Sequence, residues 1–171
     1  LHQMANKLFS IAIQHVDVTP QVSGEILEVA FANGSNVKAG DVLFRLDPVK
    51  YEAAVKNAES KLAECKANMQ YAALSYERHK KLLETRAVSL DAVDNALSQR
   101  DSSRSAYEAA QAELIAARDD LEHCVIVAPI SGKLGTTSRT KGNYVNAGQG
   151  SRVTLVQTSP LRIAFSIANR D

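Results

Sequence analysis

The distribution of glycine and proline constrains the fold of this 171-residue chain more than any other feature of its sequence. All eight glycines and all four prolines lie outside residues 49–128. Because these two residues mark turns and interrupt helices, a stretch of this length without either is not expected in a loop-rich fold. The sequence therefore predicts a long helical segment between two turn-rich segments.

The first part of the helical segment carries a heptad pattern. A helix is predicted over residues 49–84, with Asp47 as its N-cap and Pro48 at its first helical position. Apolar or small side chains recur at alternating steps of four and three residues: Tyr51, Val55, Ala58, Leu62, Cys65, Met69, Ala72, Tyr76 and, after His79, Leu83. This pattern is typical of a coiled-coil seam.

The second part predicts another helix over residues 90–122, joined to the first by a turn near residues 85–89. Ser89 is suited to cap this second helix. Its seam is apolar at both ends but polar in the middle, at Arg100, Ser103 and Arg104. Two helices of similar length joined by a short turn lie antiparallel, so the segment is predicted to be a helical hairpin.

A hairpin of only two helices buries little apolar surface per residue. We therefore expect hairpins from other copies of the chain to pack beside it. A free-standing coiled coil without a partner is the alternative interpretation of the same pattern.

The two turn-rich segments are copies of one motif. Residues 23–40, SGEILEVAFANGSNVKAG, align without a gap on residues 131–148, SGKLGTTSRTKGNYVNAG, at an offset of 108. Turn glycines recur in both copies, as Gly24, Gly34 and Gly40 and as Gly132, Gly142 and Gly148. Short β-rich runs alternate with these turns, so the two halves are predicted to pack face to face as a flattened β-sandwich. The hairpin is then an insertion between the halves.

Several motifs give the chain a family resemblance. The repeated VKAG and VNAG, flanking a coiled-coil hairpin, resemble the half-motifs of periplasmic adaptor proteins, also called membrane fusion proteins, of tripartite efflux pumps. The resemblance is strongest to adaptors of resistance-nodulation-division (RND) transporters. PQVSGEIL and VKAGDVLFRLDP resemble the first half of the family's lipoyl-like or biotinyl-like domain. Pro129-Ile130-Ser131-Gly132 resembles the A-P-x-x-G that opens the second half.

The resemblance implies an α+β fold, a long antiparallel helical hairpin inserted between the two halves of a lipoyl-like β-sandwich. It implies five segments: an N-terminal segment with a partial β-barrel strand (1–15), the first half-sandwich (16–47), the hairpin (48–122, tip about 85–89), the second half-sandwich (123–160) and the start of a β-barrel domain (161–171). Residues 7–14 and 161–167 would each supply a barrel strand, and the barrel and a membrane-proximal domain would continue beyond Asp171. Residues 1–6 match nothing in the family.

A more specific match lies at the hairpin tip. Adaptors of this family that meet a TolC-like outer-membrane channel are similar in carrying an arginine, a leucine four residues later and a serine seven residues after that, here Arg78, Leu82 and Ser89. The resemblance implies that this tip docks against the channel. A guanidinium suits carbonyls or carboxylates, the leucine would seal the contact, and the serine supplies a hydroxyl.

Each of the three residues also has a purely structural interpretation. Ser89 is expected to cap the second helix. Leu82 would otherwise belong to the seam, and Arg78 would be a surface charge paired with an acid on its own helix.

The function that the resemblance implies is a non-catalytic periplasmic adaptor. It would be anchored to the inner membrane by an N-terminal lipid or membrane helix not present in this chain. It would link an RND-type transporter to a TolC-like channel and assemble into a ring, hexameric by analogy. One alternative is an adaptor of an ABC-type exporter or a type I secretion system. Another is a structural coiled-coil or carrier module.

Composition and motifs argue against other chemistries. A formal net charge of +1 does not favour nucleic-acid binding. The four histidines lack metal-ligand spacing, and no modified-lysine, nucleophile or phosphate-loop motif occurs, so no metal, cofactor or catalytic residue is expected. Cys65 is predicted roughly 25 Å along the first helix from its base, near which Cys124 lies. A disulfide needs Cα atoms within about 7 Å, so none is expected.

Overall fold

The computed structural model describes residues 9–12, 15–137, 139–148, 153–157 and 161–164. Residues 48–122 form one unit, and the segments before and after them form the other. The elements in chain order are β1 (Phe9–Ala12), β2 (His15–Val18), β3 (Gly24–Val29), β4 (Asn36–Val37), β5 (Val42–Leu46), α1 (Val49–Glu84), α2 (Leu90–Glu122), β6 (Val125–Val127), β7 (Gly132–Leu134), β8 (Tyr144–Val145), β9 (Val153–Val156) and β10 (Leu161–Ala164). Predictions for residues 1–8 and 165–171 lie outside the described residues.

The hairpin unit, residues 48–122, consists of α1 and α2, and the predicted helical hairpin is confirmed. Every predicted seam position of α1 is buried or half-buried. The most enclosed of them are Tyr51, Ala58, Cys65 and Ala72. The heptad spacing therefore locates the face of α1 that packs against α2. Neither helix has an apolar stretch of the length needed to cross a membrane.

The start of α1 differs from the prediction. Pro48, rather than Asp47, occupies the N-cap position, and its backbone angles (φ −85°, ψ −11°) are already helical. The Pro48 carbonyl accepts hydrogen bonds from the N–H groups of Tyr51 (2.9 Å) and Glu52 (2.8 Å). The fixed φ of the proline ring is compatible with a helix, so the helical conformation begins at the ring itself.

The polar middle of the α2 seam has a structural explanation. The Arg100 guanidinium lies over the Tyr76 ring, 4.5 Å from its centroid, and bonds to Asp101 Oδ1 at 2.8 Å. Ser103 is buried and accepts a hydrogen bond from Gln99 Nε2 at 3.4 Å. The heptad seam therefore continues through these two positions, with a cation–π contact in place of aliphatic packing. Arg104, in contrast, is exposed.

The second unit, called here the β unit, contains two four-stranded sheets and a two-stranded sheet. The orders are β2-β9-β7-β4, β6-β5-β3-β8 and β1-β10. The predicted sandwich is confirmed, but the halves are not separate layers. Each four-stranded sheet takes two strands from the first half and two from the second. If every strand of one sheet is replaced by its equivalent in the other repeat, the strand order of the second sheet results. The halves are therefore interleaved.

Equivalent hydrogen bonds link the two halves. In the first pair, the Gly40 N–H donates to the Ala128 carbonyl (2.8 Å) and the Gly148 N–H to the Pro20 carbonyl (2.9 Å). In the second pair, the Ala39 N–H donates to Ser131 Oγ (2.9 Å) and the Ala147 N–H to Ser23 Oγ (2.8 Å). The two bonds of a pair join equivalent residues, whose numbers differ by the repeat offset of 108. The repeated serine and glycine positions thus join one half to the other.

The six repeat glycines are of two kinds. Gly34, Gly40, Gly142 and Gly148 adopt positive φ, between 69° and 91°, which glycine accepts without strain. Gly24 and Gly132 differ from the expectation of a turn, because they are the first residues of β3 and β7. A Cβ on Gly132 would overlap the Val156 carbonyl oxygen, so close approach of two strands explains the glycine there.

The core of the β unit lies between the two four-stranded sheets. Its side chains come from both sheets, and those at most 2% exposed include Ile26, Leu43, Leu134, Val153 and Leu155. The strands β1 and β10 pair antiparallel, from Phe9 opposite Ala164 to Ala12 opposite Leu161. Their assignment to a barrel domain stays a prediction.

Candidate functional site at the hairpin tip

The turn between α1 and α2 is a closed, hydrogen-bonded cap. The Arg86 N–H donates to the Leu83 carbonyl and the Ala87 N–H to the Leu82 carbonyl, both at 2.9 Å. Arg86 has a positive φ of 56°. This combination is the Schellman motif, in which the residue after the helix end is left-handed and two terminal carbonyls are satisfied. The tip is therefore an ordered structure.

Ser89 caps α2, as its structural interpretation requires. The Ala92 N–H donates to Ser89 Oγ at 3.2 Å, and the Val93 N–H lies 3.4 Å from the Ser89 carbonyl. The hydroxyl thus satisfies a backbone donor that the helix itself leaves unpaired. The hydroxyl hydrogen of Ser89 can still donate to an acceptor outside the chain.

Leu82 does not belong to the seam. Its side chain is 44% exposed, whereas the neighbouring Leu83 is half-buried at the last seam position of α1. Its backbone carbonyl accepts the Thr85 hydroxyl at 3.0 Å, in addition to the bond from Ala87. The backbone of Leu82 is therefore fixed by the turn while its apolar side chain faces solvent.

The arginines of the hairpin unit divide by position. The three distant from the turn form ion pairs: Arg100 with Asp101 at 2.8 Å, Arg104 with Glu108 at 3.1 Å and Arg118 with Glu59 at 3.0 Å. Arg78 and Arg86, nearest the turn, are exposed and form no ion pair with any residue in the described ranges. The interpretation of Arg78 as one half of an intrahelical pair is therefore wrong.

Exposed side chains extend from the tip along one face of α1. Tyr71 (68% exposed), Leu74 (66%), Arg78 and Leu82 follow one another at steps of three, four and four residues. This spacing places them on one side of the helix. Tyr71 and Leu74 were not predicted as site residues, although apolar side chains at positions between the seam residues were a visible signal.

The tip has the chemistry of a binding surface. The turn provides two unpaired guanidinium groups, an exposed leucine and a capping hydroxyl. Within the described part of the chain, no group of three or more His, Cys, Asp and Glu side chains converges in a way that would hold a metal ion. The side-chain hydrogen bond to Asp101 raises the pKa of the Arg100 guanidinium.

Comparison with known structures defines the class. The chain is similar to a MacA–MexA chimera that contains the α-hairpin domain of Pseudomonas aeruginosa MexA, with 30% identity and a TM-score of 0.67. The match covers 96% of this chain and 56% of the chimera. The fold is thus that of a hairpin-bearing adaptor structure.

Sequence comparison gives the family. The model of the RND membrane fusion protein (MFP), barrel-sandwich hybrid domain, matches residues 14–157, and the chain belongs to that family. It is 34% identical over 161 residues to the multidrug efflux pump subunit AcrA of Escherichia coli K12, covering 94% of this chain and 41% of AcrA. It is 33% identical to the multidrug resistance protein MdtA of Yersinia pestis (strain Pestoides F), covering 94% of this chain and 36% of MdtA. The chain therefore spans about two fifths of the curated relatives it matches.

Proposed function

We propose that this chain is the hairpin and lipoyl-like part of a non-catalytic periplasmic adaptor in a tripartite multidrug efflux system. The adaptor bridges an inner-membrane RND-type transporter and a TolC-like outer-membrane channel through the hairpin tip. Membership of the RND membrane fusion proteins supports this assignment over an ABC-type or type I secretion adaptor. Kinship with AcrA, a multidrug efflux pump subunit, supports drug export as the process.

The observation that carries the proposal is that the tip exposes an unpaired guanidinium and an apolar side chain on a hydrogen-bonded turn. Arg78 has no ion-pair partner in the described residues, and Leu82 is 44% exposed on a backbone that the turn holds in place. A partly exposed leucine and an unpaired guanidinium contribute little to the stability of the hairpin. Both groups suit contact with the end of a partner helix, where carbonyls and carboxylates are available.

Self-assembly into a ring is part of the proposal. Tyr71 and Leu74 on α1 and Ile115 on α2 are each at least 64% exposed. The two helices therefore offer apolar surface beyond the seam that joins them. Burial of this surface between neighbouring hairpins would stabilise a ring of adaptors, and six copies is the number that the family resemblance implies. The ring would stand in the periplasm, anchored to the inner membrane.

Charge reversal at the tip tests the docking assignment. In cells whose drug export depends on the full-length protein, Arg78→Asp should abolish copurification of the outer-membrane channel. Drug resistance should fall to the level of a deletion strain. The reason is that a carboxylate at this position repels the acceptors that a guanidinium would bind. Copurification, the minimal inhibitory concentration and the adaptor level are measured together.

Lys66→Asp is the matched control. Lys66 is exposed on the same helix and forms no ion pair with a described residue. Its substitution by aspartate changes the charge by two units, as Arg78→Asp does. It should leave channel capture and resistance at wild-type values. If Arg78→Asp captures the channel as well as Lys66→Asp does, at equal adaptor levels, the docking role of the tip is wrong.

A further inference from the structure

Arg86 has an unusual backbone conformation for its residue type. Its φ of 56° lies in the left-handed region, and the other described residues with positive φ are all glycines: Gly34, Gly40, Gly142 and Gly148. A side chain in this conformation brings Cβ close to the backbone, which glycine avoids. The Schellman motif at the end of α1 would form more readily with glycine at this position.

No contact within the chain explains why an arginine occupies the position. Its backbone N–H is used by the turn, in the bond to the Leu83 carbonyl. Its guanidinium is exposed and has neither an ion pair nor a side-chain hydrogen bond among the described residues. Arg86 therefore adopts a disfavoured backbone conformation, and no ion pair or side-chain hydrogen bond with a described residue compensates for it.

The turn residues around Arg86 carry more basic than acidic side chains. Residues 78–90 contain four cationic side chains, Arg78, Lys80, Lys81 and Arg86, and a single acidic one, Glu84. The whole chain has a net charge of only +1. None of the four cations forms an ion pair with a described residue. The turn thus carries a local excess of positive charge; the acids that flank it, Glu77 and Asp91, form no ion pair with these cations.

We propose that Arg86 is a further docking residue, and that the tip selects a channel whose mating helix ends carry carboxylates. This inference rests on the proposed function, since it names the chemistry of the partner at the same tip. The left-handed turn holds the Arg86 backbone at the apex, so its guanidinium reaches the partner from a fixed point. A guanidinium binds a carboxylate through two parallel hydrogen bonds, which lysine does not reproduce.

The test separates stability from binding. Arg86→Gly removes the backbone strain and the charge, and Arg86→Asn removes the charge while keeping a residue that tolerates the left-handed conformation. Both variants should keep the helical circular dichroism signal. The midpoint of thermal unfolding should be unchanged, or raised by about 2–4 °C for the glycine variant. A merely structural role of the arginine would lower that midpoint instead.

Binding is measured with the full-length adaptor and a detergent-solubilised TolC-like channel from the same organism. Both variants should bind about tenfold more weakly than wild type at low salt, and the loss of affinity on adding salt should be smaller than in wild type. Arg86→Lys should restore the salt dependence but only part of the affinity. Lys66→Gln, which removes one charge far from the tip, should bind as wild type does.

The outcomes distinguish this inference from the proposed function. If Arg78→Asp abolishes binding while Arg86→Gly and Arg86→Asn bind as wild type does, the inference on Arg86 is wrong and the docking role of the tip stands. If Arg78→Asp also binds normally, both are wrong. If an acid-to-lysine change at the channel helix ends weakens wild type but is compensated by Arg86→Glu, the carboxylate partner is established by the coupling.

Discussion

Leucines in the core of the β unit and at the hairpin tip lie in opposite environments. In the β unit, Leu43 and Leu155 are fully enclosed between the sheets, and hydrogen bonds repeated at the offset of 108 hold the two halves together. At the end of the hairpin unit, Leu82 is 44% exposed and the nearest arginines are unpaired. The core of the β unit encloses its apolar side chains, whereas the tip presents Leu82 and its arginines to solvent.

This difference separates the effects that substitutions should have. A change inside the β unit removes contacts that the chain makes with itself, and its cost should appear as lost stability. A change of the exposed side chains of Arg78 or Leu82 removes few such contacts, so its cost should appear as lost binding. The most direct test is to truncate one leucine in the β-unit core and one at the tip, and to compare the free energies of unfolding.

The largest stability effect is expected for Leu155→Ala. It removes a side chain of 0% exposure and leaves a cavity between the sheets, which should lower the free energy of unfolding by about 3 kcal/mol. Leu82→Ala at the tip should change it by less than about 0.5 kcal/mol. Calorimetric unfolding of the purified chain measures both. A loss of similar size in the two variants would contradict the division between internal and external side chains.

A smaller effect on stability is expected when two equivalent glycines of the repeat are compared. Gly132 and Gly24 are equivalent by the offset of 108, but a Cβ on Gly132 would overlap the Val156 carbonyl. A Cβ on Gly24 would sit 3.4 Å from Leu46 Cβ, in ordinary contact. Gly132→Ala should therefore lower the free energy of unfolding by about 1–3 kcal/mol, and Gly24→Ala by less than about 1 kcal/mol. Urea unfolding distinguishes them, and equal losses would show that the two halves pack equivalently.

Local patterns in the sequence predicted most of the fold. The absence of glycine and proline, together with the heptad spacing, predicted both helices, and α1 and α2 have the expected bounds. The β-rich runs between the turn glycines predicted short strands, and the β unit is built of such strands. These signals work because periodicity and turn residues act over a few neighbouring positions.

Features that depend on distant contacts were not visible in the sequence. The motif did not indicate that the halves interleave, because strand alternation specifies a face and not a neighbour. The polar residues Arg100 and Ser103 hid the continuous seam, since the stacking of Arg100 on Tyr76 needs the partner helix.

The candidate site was predictable only in part. Arg78, Leu82 and Ser89 were found through the family resemblance, and the structure adds their exposure and the capping role of Ser89. The left-handed conformation of Arg86 gave no signal, because an arginine does not mark a turn of this type in the way that glycine does.

The central claim is that the tip, and not the length of the hairpin, meets the outer-membrane channel. The most direct measurement replaces Leu82 with a photo-crosslinking amino acid in the full-length protein in living cells. The comparison is the same replacement at Ala67, which is exposed farther down α1. We expect an adduct with the channel from position 82 and none from position 67. No channel adduct at position 82, or equal adducts at both positions, would contradict the account.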